Sequence, residues 1–129
     1  MSKGKTPLIK SLVASGTRVQ GAVYFDEGLR VDGEVKGNVI ANEGKASVLV
    51  VGDNARVEGE VSADHVIING EVVGPVTANT MLELQAKAKI EGDVYYRAIE
   101  LHLGAMVAGQ LRPMPKTEEK PALKLASGG

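Results

Sequence analysis

The sequence of 129 residues contains no cysteine and no tryptophan, and its aromatic residues are limited to three tyrosines and one phenylalanine. The absence of cysteine excludes disulfide frameworks, thiolate metal sites and cysteine nucleophiles. Acidic and basic side chains nearly cancel, with a net charge of −1 at pH 7, which argues against a nucleic-acid-binding protein. No uncharged stretch is long enough to span a bilayer, and no secretory signal is recognisable at the N-terminus. We therefore expect a cytoplasmic chain.

Glycine and valine, in contrast, are abundant, with 16 glycines and 17 valines in the sequence. Valine favours a pleated, half-buried surface, and glycine inside strands marks bends or close approaches of the backbone. Three of the five prolines fall in the last 17 residues, away from this pattern. The composition predicts many short strands rather than helices.

One short unit, Gly-x-Val or Gly-x-Leu, recurs six times along the chain. Its glycines are Gly21, Gly37, Gly59, Gly74, Gly92 and Gly109, at spacings of 16, 22, 15, 18 and 17 residues. Apolar and polar residues alternate around each glycine, and a period of two indicates a strand with one buried face. A unit of roughly 17–18 residues is the length of three short strands, and stacked units bury a continuous apolar column. The repeats therefore predict an all-β, three-sided β-solenoid of about six windings.

The predicted solenoid occupies residues 16–111 and makes a rod about 30 Å long. Residues 1–15 are predicted to form a flexible N-terminal tail, and residues 112–129 a disordered, proline-containing C-terminal tail. The tails are basic and the repeat region is acidic. The alternative fold, a β-sandwich of short strands, explains the strand content but not the sixfold return of one unit.

No catalytic or cofactor-binding constellation is recognisable in the sequence. The two histidines, His65 and His102, lie in different repeats, and we interpret them as outward or corner side chains rather than bases or metal ligands. Carboxylates such as Glu58 and Glu71 lie on the outward, polar side of their strands, where they keep the surface of the rod hydrated. We therefore predict a non-enzymatic protein with no cofactor and no metal site.

Several of the repeats resemble those of the bactofilins, a family of bacterial cytoskeletal proteins. The resemblance covers residues 12–111 and is carried by Leu29-Arg-Val-Asp-Gly-Glu-Val-Lys-Gly-Asn-Val39, Val57-Glu-Gly-Glu-Val61, Ile67-Ile-Asn-Gly-Glu-Val72 and Gly104-Ala-Met-Val-Ala-Gly109. It implies a right-handed β-helix that polymerises end to end, without nucleotide, into non-polar filaments. It also implies a scaffold at the inner face of the cytoplasmic membrane that positions cell-wall or morphogenesis proteins.

Two positions depart from the family pattern. Bactofilins commonly carry phenylalanine in the last winding, within Gly-Ala-x-Phe-x-Gly, as an end-to-end contact, and Val107 occupies that position here. The junction that the resemblance implies is therefore aliphatic. Many members also begin with a Met-Phe membrane-targeting motif, whereas this sequence begins Met1-Ser2-Lys3.

The two ends of a solenoid are its natural assembly sites, because the terminal windings expose unpaired backbone groups and the ends of the apolar column. Solenoids that stay monomeric cover these ends with capping elements. Here a proline-containing tail follows the last winding, so we predict end-to-end stacking, with tails folded back as caps as the alternative. The predicted interface residues are apolar side chains of the last and first windings: Val107, Met106, Leu101, Leu103 and Leu111, with Val19 and Val23.

The N-terminal segment alternates between lysines and apolar residues, which makes it a candidate for contact with anionic lipid. Its candidate residues are Lys3, Lys5, Leu8, Ile9, Lys10 and Leu12. The alternative role for the same segment is a cap over the first winding.

Two further function classes stay open at this point. Val51-Gly-Asp-Asn-Ala-Arg-Val57 resembles one step of a hexapeptide-repeat acyltransferase, although strict six-residue phasing fails elsewhere. A surface-binding solenoid, such as an adhesive or ice-binding module, usually carries regular threonine ladders, and none is recognisable here. We favour the structural polymer, whose main partner is a second copy of the same chain, and we expect no nucleic-acid partner.

Overall fold

A computed structural model describes residues 8–115, and all regular secondary structure within that range is β-strand. The sixteen strands follow in chain order as β1 (Ser11–Val13), β2 (Arg18–Gln20), β3 (Val23–Phe25), β4 (Gly28–Val31), β5 (Glu34–Lys36), β6 (Val39–Ala41), β7 (Val48–Val51), β8 (Arg56–Glu58), β9 (Val61–Ile68), β10 (Glu71–Val73), β11 (Val76–Leu84), β12 (Lys89–Glu91), β13 (Val94–Tyr96), β14 (Ile99–Leu101), β15 (Met106–Ala108) and β16 (Leu111–Pro113). A helix long and apolar enough to cross a membrane does not occur in this part of the chain.

The strands form three faces, and each face is a parallel stack of six strand segments. The first face contains β1, β4, β7, the C-terminal halves of β9 and β11, and β14. The second face contains β2, β5, β8, β10, β12 and β15. The third face contains β3, β6, the N-terminal halves of β9 and β11, β13 and β16. One segment from each face makes one rung, and the six stacked rungs confirm the predicted β-solenoid.

The core is a column of aliphatic side chains that stay in register from rung to rung. On the second face this column runs from Val19 through Val35, Val57, Val72 and Ile90 to Val107. The four middle members of the column are at most 2% exposed. Successive partners are 16, 22, 15, 18 and 17 residues apart, which are the spacings of the repeated glycine unit. The repeat in the sequence is therefore one rung of the solenoid.

The repeated glycines stack at the corner between the second and third faces. A Cβ atom on Gly92 would lie 2.5 Å from the carbonyl oxygen of Gly74, and one on Gly74 would lie 2.3 Å from that of Gly59. Gly74 and Gly92 also have φ angles of +146° and +149°. Only glycine combines this backbone conformation with so close an approach of the neighbouring rung, which explains its return at this corner of the four inner rungs.

The single 22-residue spacing includes an inserted loop, residues 42–47, between β6 and β7. The backbone N–H of Ser47 donates a hydrogen bond to Oδ2 of Asp64 at 3.1 Å, and the backbone N–H of Asp64 donates to Oγ of Ser47 at 2.9 Å. This reciprocal pair fastens the loop to β9, so the insertion leaves the register of the stacked rungs intact.

The paired strands extend past the expected limits of the solenoid at both ends. β1 begins at Ser11 and pairs with β4, although Gly16 was the expected start, and β16 ends at Pro113 rather than at Leu111. The repeated glycine marks only the corner between the second and third faces. The strand β1, which opens the first rung on the first face, comes before that corner and has no such marker. The division into a solenoid and two tails stays a prediction, and residues 1–7 and 116–129 lie outside the described residues.

Candidate assembly interface

The last rung continues the apolar core columns of all three faces to an open end. Leu101 continues the inward column of Leu84 on the first face, and Leu111 continues that of Val94 on the third. Leu101 is 52% exposed and Leu111 is 44% exposed, whereas both partners below them are fully buried. Val107 occupies the equivalent inward position on the second face, above Ile90. These three predicted interface residues therefore lie together around one open apolar end.

The other two residues predicted for this interface lie elsewhere on the last rung. Met106 is in register with Lys89, on the outward phase of the second face, and is 59% exposed. Leu103 lies in the turn after β14 and is 95% exposed. Successive side chains of a strand point to opposite sides of the sheet. Met106, which precedes Val107, therefore points away from the core column that Val107 extends.

One inward residue of the last rung, Ile99, was missed from the sequence. Ile99 and Ala105 are half-buried and pack against the core cluster. Ile99 stands two residues before Leu101, so the alternation along β14 could have identified it. Ala105 stands two residues before Val107, on the inward phase expected from the sequence.

The first rung also ends in apolar side chains, but they are less exposed than those of the last rung. Val19 and Val23 are half-buried and pack against the core, as expected for residues of a terminal rung. Val13 and Phe25, which the sequence did not single out, complete this end and are 9% and 5% exposed. Val13 was missed because it was assigned to the N-terminal tail, although it is paired with Val31 on the first face.

The N-terminal segment runs beside the solenoid at the corner before β1. The backbone N–H of Lys10 donates a hydrogen bond to the carbonyl oxygen of Gly28 at 3.0 Å, and its ammonium group lies 2.5 Å from Glu27 Oε1. The side-chain hydrogen bond with Glu27 raises the pKa of Lys10 above its ordinary value. Leu8, Ile9 and Leu12 are 67%, 46% and 58% exposed, so their side chains do not insert into the apolar column. Lys3 and Lys5 lie outside the described residues.

In one outward column of the second face, the charge alternates in sign from rung to rung. Arg18 Nε lies 3.2 Å from Glu34 Oε1, and Arg56 Nη1 lies 2.6 Å from Glu71 Oε2. Lys89 stands next in this outward column and Met106 ends it. Opposite charges on neighbouring strands favour the observed register, and the ladder changes to a neutral side chain only at the last rung.

A polar contact on another face joins the fifth and sixth rungs. The backbone N–H of Gln110 donates a hydrogen bond to Asp93 Oδ1 at 3.0 Å, and Arg112 Nε lies 3.0 Å from Asp93 Oδ2. The hydrogen bond from Gln110, together with Arg112, lowers the pKa of Asp93 below its ordinary value. The carboxylate form of Asp93 therefore holds the last rung against the fifth.

Comparison with known proteins agrees with this architecture. The family model described as "Bactofilin: Polymer-forming cytoskeletal" matches residues 11–112. Among curated proteins, the chain is 28% identical over 106 residues to Bactofilin BacO of Myxococcus xanthus, an alignment that covers 82% of this chain and 81% of that protein. No solved structure matches the chain at a significant level. Since the family match spans all six rungs, the chain belongs to the bactofilins, a family of polymer-forming cytoskeletal proteins.

Proposed function

We propose that this protein is a cytoskeletal scaffold subunit that polymerises by stacking the terminal rungs of its solenoid end to end. The observation that carries the proposal is the column from Val19 to Val107, which is buried in its middle members and only half-buried at its two ends. A second copy placed on either end would bury the terminal side chains to the same extent as those in the middle.

The backbone of the terminal rungs supports the same proposal. Within residues 8–115, each of β14, β15 and β16 pairs with a strand on one side only, and the same holds for β1, β2 and β3. Strand edges of this kind present unpaired N–H and C=O groups that a neighbouring chain can satisfy. Burial of apolar side chains and pairing of strands are favourable without an input of chemical energy, so the proposed junction needs no nucleotide.

A filament of this kind would repeat the outer surfaces of the subunit about every 30 Å, at roughly 4.8 Å per rung. Repeated surfaces hold partners at high local concentration, because binding to one subunit places the partner close to the next. We propose on this basis that the filament positions proteins of cell shape or of the cell wall.

A weak contact with the inner face of the cytoplasmic membrane is a second proposal, carried by the exposure of Leu8, Ile9 and Leu12. Lysines near an anionic surface add about 1 kcal/mol each. Co-pelleting of the protein with anionic liposomes should therefore weaken when Lys3 and Lys5 are changed to glutamate. Co-pelleting that is unaffected by these changes would contradict the membrane proposal and leave polymerisation untouched.

Negative-stain electron microscopy of the untagged full-length protein, without nucleotide, tests polymerisation directly. We expect unbranched filaments, and in sedimentation a fast species that grows with protein concentration. Discrete rods of a single subunit at every concentration would contradict the proposal and favour ends that are capped.

A further inference from the structure

Two carboxylates and one imidazole converge on the outer surface of the first face, beside the last rung. Glu83 on β11 and Glu100 on β14 are paired in register, and His102 follows β14. His102 Nε2 lies 3.0 Å from Glu100 Oε2 and 3.6 Å from Glu83 Oε2. One ligand atom from each of the three side chains lies within 4.8 Å of the other two. The sequence did not indicate this cluster, because its members come from two repeats that only the register brings together.

The two glutamates are an unfavourable pair on their own. Like charges directly opposite each other on neighbouring strands are destabilising, and the second face of the same solenoid avoids them by alternating Arg18 with Glu34 and Arg56 with Glu71. A divalent cation held by both carboxylates and by the imidazole of His102 would remove this repulsion.

We propose that Glu83, Glu100 and His102 bind a divalent d-block cation, and that Zn²⁺ fits this donor set best. Zn²⁺ binds imidazole nitrogen and carboxylate oxygen at about 2.0–2.2 Å with tetrahedral geometry, so two of its ligands are separated by about 3.3 Å. The two distances from His102 to the carboxylates, 3.0 and 3.6 Å, bracket this value. Mg²⁺ and Ca²⁺ prefer sites made only of oxygen, so the imidazole argues for zinc over these ions.

The surrounding contacts orient the carboxylate of Glu83 and fix the backbone that carries His102. Gln85 Nε2 donates a hydrogen bond to Glu83 Oε2 at 3.1 Å, which orients that carboxylate. The backbone N–H of His102 donates to the carbonyl oxygen of Leu84 at 2.9 Å, and the carbonyl oxygen of His102 accepts from the N–H of Ala105 at 3.1 Å. Orientation of ligands by such outer contacts is typical of metal sites. His102 and Glu100 have side-chain exposures of 41% and 52%, so an ion has access from solvent.

All three ligands belong to one chain, so metal binding does not depend on polymerisation. An ion at this place would join the fifth rung to the sixth and stabilise the rung that forms the proposed junction. The site therefore goes beyond the proposed function, and a variant whose junction is blocked, such as Val107→Arg, should bind the metal as the wild type does.

Isothermal titration of the untagged full-length protein with Zn²⁺ at neutral pH tests the proposal. We expect one ion per chain, with affinity at least about tenfold weaker in His102→Ala and in Glu100→Gln, since loss of a direct ligand should cost no less than loss of an outer contact. The matched control is Glu91→Gln, an exposed carboxylate on the second face, which should bind zinc with unchanged affinity. Mg²⁺ should give no comparable binding.

Two further readouts test the role of the imidazole. Zinc affinity should fall as the pH is lowered, because an imidazole must be neutral to bind a metal. Circular dichroism should show the same strand content in all variants, since the changed side chains are on the surface. Equal zinc affinity in His102→Ala and in the wild type, or no saturable binding in the wild type, would overturn the proposal.

Discussion

Replacement of Val107 by arginine should oppose polymerisation far more than it harms the fold. Val107 is the inward residue of the second face in the last rung, above Ile90, and is half-buried in the single chain. In the free protein an arginine at this position can extend into solvent at the open end. In a stacked junction the same guanidinium group would be enclosed between two apolar ends. The core column from Val19 to Ile90 is aliphatic, so it offers no acidic side chain to pair with the charge.

The magnitude follows from the cost of an unpaired charge in an apolar environment, which is several kcal/mol. Each 1.4 kcal/mol changes an association constant tenfold, so a cost of about 3 kcal/mol raises the concentration needed for polymerisation by about 100-fold. In the single chain the change removes only part of the contact with Ile90. The temperature of unfolding should therefore fall by a few degrees only.

Sedimentation and negative-stain microscopy at matched concentrations measure the first effect, and thermal unfolding followed by circular dichroism measures the second. Ala108→Arg is the matched control, because Ala108 is the next residue, faces outward and is in register with Glu91. It adds the same charge to the same strand and should leave filaments intact. Filaments of Val107→Arg at wild-type concentrations would show that the last rung is not a junction, and equal loss in Ala108→Arg would show that burial is not the cause.

Three further predictions follow from the same geometry. Val19→Arg should impair polymerisation at the first rung, and filaments of normal length in microscopy would exclude that end as a junction. Gly92→Ala, whose Cβ would clash with the Gly74 carbonyl oxygen, should lower the free energy of unfolding by about 2 kcal/mol more than Gly16→Ala, which has open space, when both are measured by chemical denaturation. The lowered pKa of Asp93 means that its carboxylate stabilises the fold above about pH 4 and loses this effect as pH falls through the folded pKa. Asp93→Asn should therefore lower the unfolding temperature near pH 7, with a difference that shrinks as the pH falls below about 4, and a difference that does not depend on pH would contradict a role for the charge.

The number of rungs and the register of the second face could be predicted from the sequence because glycine recurs at one corner of each rung. The neighbouring carbonyl oxygen lies too close to that corner for any side chain, as at Gly74 and Gly92. A residue type enforced by backbone sterics gives a periodic signal that insertions such as residues 42–47 shift but do not erase. The fold class and the number of windings followed from this signal.

The other two faces carry no comparable marker, and there the sequence was less informative. The strand Ser11–Val13 was assigned to a tail because it has no glycine unit, and Val13 was lost from the predicted end for the same reason. Met106 was grouped with Val107 as an apolar residue of the last winding. Side chains alternate between the two sides of β15, and Met106 lies on the outward side. The convergence of Glu83, Glu100 and His102 depends on the register of the first face, which no repeat in the sequence specifies.

The distribution of polar contacts bears on how the last rung stays ordered before a junction forms. Each rung of a solenoid is stabilised by its neighbours, so a terminal rung has only one stabilising interface and the lowest local stability. The half-exposed Leu101 and Leu111 show how much apolar burial this rung lacks. Asp93, paired with Arg112, and the cluster around His102 join this rung to the fifth on two different faces. Polar contacts thus hold the last rung in register with the fifth, while its apolar side chains stay available for the second copy that the proposed junction would place on them.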